Sequence, residues 1–239
     1  MTTGAIIQAR MGSTRLPGKV LKAVNDHTLL TYLVKRIRRS DHLDKIVVAT
    51  SDRSENDVIE EECREHGIEC YRGKEEDLLD RYVRAAAEYD MDRIVRITAD
   101  CPLVDPQVID QMIGAFSEDV DYLTNNRPRT YPHGLDAGII KQDALREVWR
   151  STEPQEGRHV IKHLVAHSTF NNENRFQAKN ISHEVDFSHV RITVDYPEDL
   201  EVVRFLISNT SIEAPWQEYI AALTEHPEYI EKNRHHRQH

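Results

Sequence analysis

AIIQARMGSTRLPGKVL, from Ala5 to Leu21, joins a short apolar run to a loop rich in glycine, hydroxyl and cationic residues. The apolar run predicts a buried first strand that ends before the loop begins. Backbone N–H groups exposed at glycine can hydrogen-bond phosphate oxygens, and Arg and Lys side chains can neutralise their charge. Because open α/β sheets bind ligands beyond the carboxyl ends of their strands, the stretch predicts a polyphosphate site at that edge. The loop residues that favour it are Arg10, Gly12, Ser13, Arg15 and Lys19.

Several familiar active-site patterns are missing from the sequence. Gly18-Lys19 is followed by Val20, whereas a Walker loop needs Ser or Thr there. Ser13 has no neighbouring base, and no nucleophile elbow or G-x-G-x-x-G fingerprint occurs. Covalent catalysis and dinucleotide binding therefore have no support.

Composition narrows the class of protein. The 239 residues suit one sizeable α/β domain, and the net charge of −10 argues against nucleic acid as the main partner. No apolar run is long enough to span a bilayer, and the N-terminus lacks the layout of a signal peptide. We therefore expect a cytoplasmic protein without a membrane partner.

Strand and helix patterns alternate along most of the chain, which predicts an α/β fold with a mostly parallel, doubly wound sheet. We interpret the chain as a single domain, 1–239, with a smaller lobe over the carboxyl edge at about 119–180 and a C-terminal helical tail at about 211–239. The predicted strands are Gly4–Gln8, Lys45–Thr50, Arg93–Thr98, Tyr122–Asn125, Ala137–Ile140 and Val190–Val194.

Asp100 and Asp195 each follow a predicted strand, in TADCPLVDP and TVDYPEDLE. Parallel strands would bring both carboxylates to the edge that carries the Arg10 loop. Mg²⁺ is commonly held by one or two carboxylates together with phosphate oxygens, so the pair predicts a magnesium site. The competing interpretation is that each aspartate caps the next helix.

Other groups of polar residues carry weaker signals. Two Asp-x-Asp triplets, at 90–92 and 119–121, precede strands and are typical of solvated turns, which argues against a glycosyltransferase. Cys63, His66 and Cys70 lack a C-x-x-C pair and are better explained as structural residues. The tail His235–His239 is typical of a frayed terminus, with a weak metal or anion contact as the alternative.

The predicted lobe contains the residues that we expect to meet an acceptor molecule: His133, Asp136, Arg158 and His159. Each has a simpler interpretation, as a loop histidine or a helix-surface charge. Their position over the sheet edge favours a role in substrate binding.

QARMGSTRLPGKVL, from Gln8 to Leu21, resembles the signature of the sugar-acid cytidylyltransferases, the KDO and acylneuraminate group. RGKEEDLLDRY, RITADCPLVDP, DYLTNN, YPHGLD and ITVDYPEDLE follow in the order of the spore-coat polysaccharide branch of that group. The resemblance implies CMP transfer from CTP to a sugar, with Mg²⁺ as cofactor, and frequent homodimers. It implies catalytic roles for Arg10, Lys19 and Asp100, and metal binding by Asp100 and Asp195. Its nucleotide-binding positions are Gln8, Ala9, Arg10, Gly12, Ser13, Arg15, Lys19 and Thr50.

Two departures from the branch lie in the acceptor half. The residue after G-L-D-x is usually acidic, but here it is Gly138. The usual R-E-H-V-T reads Gly157-Arg158-His159-Val160-Ile161. The identity of the sugar therefore stays open, as does the base: a guanylyl- or uridylyltransferase acting on a sugar phosphate is the nearest alternative. A non-catalytic nucleotide-binding protein is a further alternative, although it would not need both aspartates.

Overall fold

The computed structural model describes residues 1–153 and 159–236, and a seven-stranded sheet lies at its centre. The strands in chain order are β1 (Thr3–Gln8), β2 (Ala23–Val24), β3 (His27–Thr28), β4 (Lys45–Ser51), β5 (Glu69–Gly73), β6 (Arg93–Thr98), β7 (Tyr122–Thr124), β8 (Gly138–Lys141) and β9 (Ala178–Asn180). The sheet order is β5-β4-β1-β6-β8-β7-β9, and β2 pairs with β3 in a separate small ribbon.

Helices flank the sheet on both faces. They are α1 (Leu29–Ile37), α2 (Asp57–Glu65), α3 (Leu78–Glu88), α4 (Pro106–Ala115), α5 (Gln142–Ser151), α6 (Val160–Ala166), α7 (Pro197–Asn209), α8 (Trp216–Glu225) and α9 (Pro227–Lys232). Successive residues of β1 point to opposite faces: Ala5 and Ile7 join one hydrophobic core, and Ile6 joins the other. Within the described residues, no helix is both long and apolar enough to cross a membrane.

The parallel part of the sheet fixes where the Arg10 loop lies. β1 lies between β4 and β6, and Gln8, its last residue, is in register with Ala49 and Thr98. β5 extends this parallel block beyond β4. The predicted α/β fold with a mostly parallel sheet is therefore confirmed, and the loop after β1 begins at the carboxyl ends of its neighbours.

The chain from 119 to 180 adds strands to the same sheet. β8 runs antiparallel to β6 and to β7, and β9 is parallel to β7. α5 packs against α3 and α6 on one face of the sheet. This region therefore shares the central sheet and contributes buried residues to both of its hydrophobic cores.

The prediction of a regular strand over Val190–Val194 is wrong. Arg191 makes a single parallel bridge to His133, and the segment forms no ladder. The Val194 N–H still donates to the Asp100 carbonyl oxygen at 2.7 Å, so the segment runs beside the end of β6. It therefore delivers Asp195 to the edge that a strand would have reached.

Candidate functional site

Two backbone N–H groups of the loop after β1 hold it in place, one through a side chain outside the loop and one through the loop's own backbone. The Met11 N–H donates to Asn56 Oδ1 at 2.8 Å, and the Gly18 N–H donates to the Met11 carbonyl oxygen at 3.1 Å. Gly18 has a φ of +65°, which strains residues with a side chain. This turn starts the short 3₁₀ helix Lys19–Leu21 and points Lys19 back across the carboxyl edge.

Lys19 lies between the two predicted metal-binding carboxylates. Its Nζ donates to Asp100 Oδ2 at 2.9 Å, to Asp195 Oδ1 at 3.0 Å and to the Val194 carbonyl oxygen at 2.8 Å. Arg15 Nη2 also pairs with Asp195 Oδ1, at 3.0 Å. The structure thus brings together four charged residues from three separate segments of the sequence.

The charges at this junction stabilise one another. Burial tends to lower the pKa of Lys19, but the two carboxylates outweigh it and raise that pKa above its usual value. Burial tends to raise the pKa of Asp195, and Lys19 and Arg191 bring it below its usual value. Lys19 is therefore cationic and Asp195 anionic around neutral pH.

Both aspartates are free of the capping role that the competing interpretation gave them. Asp105 caps α4 by accepting from the Gln107 N–H at 2.8 Å. At α7 the N-terminal carboxylate is Asp199, which accepts from the N–H groups of Asp195 and Tyr196. The side chains of Asp100 and Asp195 instead face the charges of the Arg10 loop.

A buried ion pair, which the sequence analysis missed, holds Asp195 from behind. Asp199 is fully buried, and its two oxygens accept from Arg191 Nε and Nη2 at 2.8 and 2.7 Å. Arg191 Nη2 also donates to Asp195 Oδ2 at 3.0 Å. An Arg four residues before the acidic DYPED segment was the only available signal.

A cleft opens between the Arg10 loop, the end of β6 and Asp195. Ala9 and Gly12 belong to the same loop, whereas Thr50 is fully buried on β4. The side-chain oxygens of Gln8 and Thr50 are buried without a hydrogen-bond partner among the described residues. The cleft is lined by Gln8, Arg10, Ser13, Thr14, Arg15, Lys19, Val20, Thr98, Ala99, Asp100 and Asp195.

The donor set suits a divalent cation, and the two carboxylates differ in availability. Both Asp195 oxygens accept from cationic side chains, Oδ1 from Lys19 and Oδ2 from Arg191. Asp100 Oδ2 accepts from Lys19, while the one contact of its Oδ1 within the described part of the chain is a weak one, 3.6 Å, with the Cys101 thiol. The Lys19 ammonium lies between the two carboxylates, so this position already stabilises a positive charge. Asp100 is the more accessible of the two.

Among the predicted acceptor residues, Asp136 is enclosed by the protein itself. It accepts from Arg129, from Asn126 Nδ2 at 2.9 Å and from the Gly134 N–H at 3.1 Å. Burial tends to raise its pKa, and Arg129 brings the pKa below its usual value. This carboxylate therefore holds the loop in shape.

His133 and His159 lie in different surroundings. His133 Nδ1 is 3.1 Å from Arg191 Nη1, which links it to the pair behind Asp195. His159 caps α6, with its Nδ1 accepting from the Ile161 N–H at 3.3 Å. Burial lowers the pKa of both histidines. Arg158 lies outside the described residues.

Arg96, on β6, lies close enough to His159 for its charge to act on that ring. The sequence analysis did not single out this cation. It lies opposite Gly138 in the antiparallel pairing of β6 and β8, where facing side chains share one face of the sheet. Gly138 offers no side chain, and the buried Arg96 Nε has no hydrogen-bond partner among the described residues. A Cβ at position 138 would lie 3.1 Å from Tyr122 Cε2, so the glycine also makes room for that ring.

Comparison with known proteins identifies the family. A sequence profile described as cytidylyltransferase matches residues 4–223. The chain belongs to the cytidylyltransferase family.

Relatives within this family also confirm the resemblance to the spore-coat branch. Spore coat polysaccharide biosynthesis protein SpsF of Bacillus subtilis is 35% identical over 210 residues, 84% of each chain. A 3-deoxy-manno-octulosonate cytidylyltransferase of Syntrophotalea carbinolica is 32% identical over 119 residues, 50% of this chain and 47% of that protein. The solved structure of a cytidylyltransferase from Leptospira borgpetersenii superposes with a TM-score of 0.89 at 34% identity, covering 96% of this chain and 97% of that one.

Proposed function

We propose that this cytidylyltransferase transfers CMP from CTP to a sugar acid and releases pyrophosphate. The observation that carries the proposal is the Lys19 ammonium between Asp100 and Asp195, in a cleft that Arg10 and Arg15 also line. Cations and carboxylates arranged in this way suit a triphosphate with its bound metal. The match to a 3-deoxy-manno-octulosonate cytidylyltransferase supports a carboxylated sugar as the acceptor.

In this reaction a sugar hydroxyl attacks the α-phosphorus in line, and the bond to pyrophosphate breaks. Arg10, Arg15 and Lys19 would bind the phosphate oxygens and offset the charge that builds on the leaving group. The Arg10 side chain is 58% exposed and already lines the cleft, so it can adjust to a phosphate at little cost. Catalysis of this kind rests on positioning and charge neutralisation, with little covalent chemistry by the protein.

Mg²⁺ is the cofactor that we propose, and Asp100 and Asp195 are the residues that would hold it. The ion would neutralise phosphate charge and orient the triphosphate. Asp100 would be the more accessible ligand, because Arg191 also holds Asp195 and the Asp195 side chain is less exposed.

For the acceptor, we propose that Arg96 pairs with the carboxylate of the sugar acid. Arg96 lies two residues before Thr98, which lines the cleft, and therefore on the same face of β6. His159 lies close enough for the charge of Arg96 to contribute, after burial, to the lowering of its pKa. A neutral His159 would offer a hydrogen bond to a sugar hydroxyl without repelling Arg96.

Pyrophosphate release from CTP, Mg²⁺ and a panel of sugar acids and neutral sugars tests the proposal. We expect turnover with CTP and a sugar acid, and none with the matching neutral sugar. Turnover with GTP or UTP and a sugar phosphate, but not with CTP, would show the alternative transferase. CTP binding without turnover on any sugar acid of the panel would favour a non-catalytic nucleotide-binding protein.

An Arg96→Gln variant separates the acceptor from the nucleotide. We expect the KM for the sugar acid to rise at least tenfold while the affinity for CTP, measured by calorimetry, stays unchanged. Arg93→Gln, on the same strand but at its far end, is the matched control.

The homodimer and the cytoplasmic location stay predictions; light scattering on the purified protein tests the first.

A further inference from the structure

The C-terminal segment Asn233–His236 packs against the loop that carries Asp195. Asn233 is buried, and its Nδ2 donates to the Arg191 carbonyl oxygen at 3.1 Å and to Asp199 Oδ1 at 2.9 Å. The expectation of a frayed terminus is therefore wrong for the residues up to His236, because a buried amide ties them to the ion pair behind the cleft. Residues 237–239 lie outside the described part of the chain.

Two histidines follow this anchor and meet a carboxylate of α7. The His236 ring stacks on Tyr196, with the ring centroids 3.7 Å apart and the planes within 2°. His236 Nε2 lies 3.3 Å from Glu198 Oε2, and the His235 ring centroid is 3.9 Å from that of His236. One possible ligand atom from each of Glu198, His235 and His236 lies within 4.8 Å of the other two.

The distance between His236 and Glu198 matches the ligand spacing that a small divalent cation requires. Zn²⁺ binds imidazole nitrogen and carboxylate oxygen at about 2.0–2.2 Å in tetrahedral geometry, which places neighbouring ligand atoms about 3.3–3.5 Å apart. The His236–Glu198 pair already has this spacing, at 3.3 Å. His235 is exposed, so a rotation of its side chain can complete the set without disturbing the fold.

We propose that Glu198, His235 and His236 form a binding site for a divalent transition metal of the zinc class. Imidazole nitrogens favour Zn²⁺, Co²⁺ and Ni²⁺, whereas Mg²⁺ prefers an all-oxygen set such as Asp100 with phosphates. Three protein ligands leave a fourth position for water or an anion.

Occupation of this site would hold Tyr196 in place beside the cleft. The Tyr196 hydroxyl accepts from Arg15 Nη1 at 3.2 Å, and the Arg15 guanidinium lies 4.8 Å from the centre of the same ring. The metal would therefore stiffen the wall that positions Arg15. The proposal of the site itself rests on the geometry of the tail and is independent of the nucleotide chemistry.

Calorimetric titration of the full chain with Zn²⁺, in excess Mg²⁺ to occupy oxygen-rich sites, tests the proposal. We expect one equivalent of Zn²⁺ to bind, and Co²⁺ to give the visible absorption of a tetrahedral nitrogen-oxygen site. Because loss of one ligand of three should cost at least as much as loss of an outer-shell partner, His235→Ala and Glu198→Gln should each weaken binding by about tenfold or more.

His226→Ala is the matched control. His226 Nδ1 pairs with Glu228 at 3.2 Å on the same tail, but this His–Glu pair has no third ligand in the described structure. The control should bind Zn²⁺ like the unmodified protein. The proposal fails if Zn²⁺ does not bind, or if His235→Ala and His226→Ala bind it equally well. The circular dichroism of each metal-free variant should match that of the unmodified protein, which excludes misfolding as the cause of any lost binding.

Discussion

The nucleotide half and the acceptor half of this molecule use polar residues in opposite ways. In the nucleotide half, the Arg10 loop, Asp100 and Asp195 bring charges from three segments to one cleft. In the acceptor half, Asp136 is enclosed by three protein partners, and His159 caps a helix. The first arrangement leaves charged groups able to exchange a protein partner for a ligand, while the second uses most of its polar groups to shape a loop.

The difference shows how to separate a binding residue from a structural one. Lys19 and Arg15 face the cleft, and a triphosphate can replace the carboxylates that they now contact. A ligand cannot replace the partners of Asp136 in the same way, because they include the Gly134 N–H and the Asn126 side-chain amide. Arg96 is the acceptor-half residue that resembles the nucleotide half, with a buried nitrogen that lacks a hydrogen-bond partner in the described structure.

The largest effect should come from breaking the buried pair that supports the nucleotide half. Arg191→Met removes both bonds to Asp199, a carboxylate with no solvent exposure, and leaves that charge unpaired. We expect the free energy of unfolding to fall by about 3–5 kcal/mol, measured by urea denaturation. The control is Lys179→Met, which breaks the exposed pair with Asp119 and should leave the midpoint unchanged. An equal, small change in both variants would contradict a supporting role for Arg191.

The second prediction concerns turnover. Lys19→Met removes the cation between Asp100 and Asp195, and we expect pyrophosphate release to slow by about 10²–10³-fold, as for other groups that stabilise developing charge. Lys22→Met, three residues further along, is the matched control because it is not part of the cleft lining. Comparable rates for the two variants would show that Lys19 only holds the unliganded structure together.

The apolar strand patterns and the glycine-rich loop after the first strand made the nucleotide half predictable. Charged residues that follow buried parallel strands must meet at one edge, so Arg10, Lys19 and Asp100 could be placed from local patterns alone. Asp195 was placed correctly for a partly wrong reason. The segment before it is extended and buried, but it makes one bridge where a strand was predicted, since its neighbour His133 sits on a loop.

The acceptor half could not be predicted to the same depth because its contacts depend on the path of an irregular loop and on strand register. Asp136 pairs with Arg129, seven residues earlier, through a loop whose path follows no helical or strand period. The register of β6 with β8 sets Arg96 opposite Gly138. The anchoring of the C-terminal tail also depends on contacts that no local sequence pattern indicates. Asn233 reaches Arg191 and Asp199 across about forty and thirty intervening residues, beyond the range of any helical or strand period.

The third prediction concerns Asp136, in the acceptor half. Asp136→Asn removes the charge that pairs with Arg129, and we expect the free energy of unfolding to fall by about 1–3 kcal/mol. The affinity for CTP should change by less than about twofold, since Asp136 does not line the cleft. Asp119→Asn, an exposed carboxylate, is the control and should change neither quantity. A large loss of CTP affinity in Asp136→Asn with unchanged stability would place that carboxylate in the nucleotide half.

The smallest effect should be the pH dependence that His133 adds to stability. Burial lowers the pKa of His133 below its usual 6.5, against the opposing effect of Asp136, while Arg129 and Arg191 also lower it. The unfolded chain then binds a proton at His133 more readily than the folded protein. Stability is therefore complete above pH 6.5 and falls as the pH drops below that value, until the pH reaches the lower pKa of the folded state.

His133→Asn keeps an acceptor for Arg191 but removes this titration. We expect the free energy of unfolding to fall less between about pH 7.5 and pH 5.5 in the variant than in the unmodified protein, by urea denaturation at each pH. His27 and His159, whose pKa values are also lowered, titrate in both proteins and cancel in the difference. Identical pH profiles would mean that protonated His133 fits beside Arg191, and the acceptor half would then have no electrostatic link to the carboxylates of the cleft.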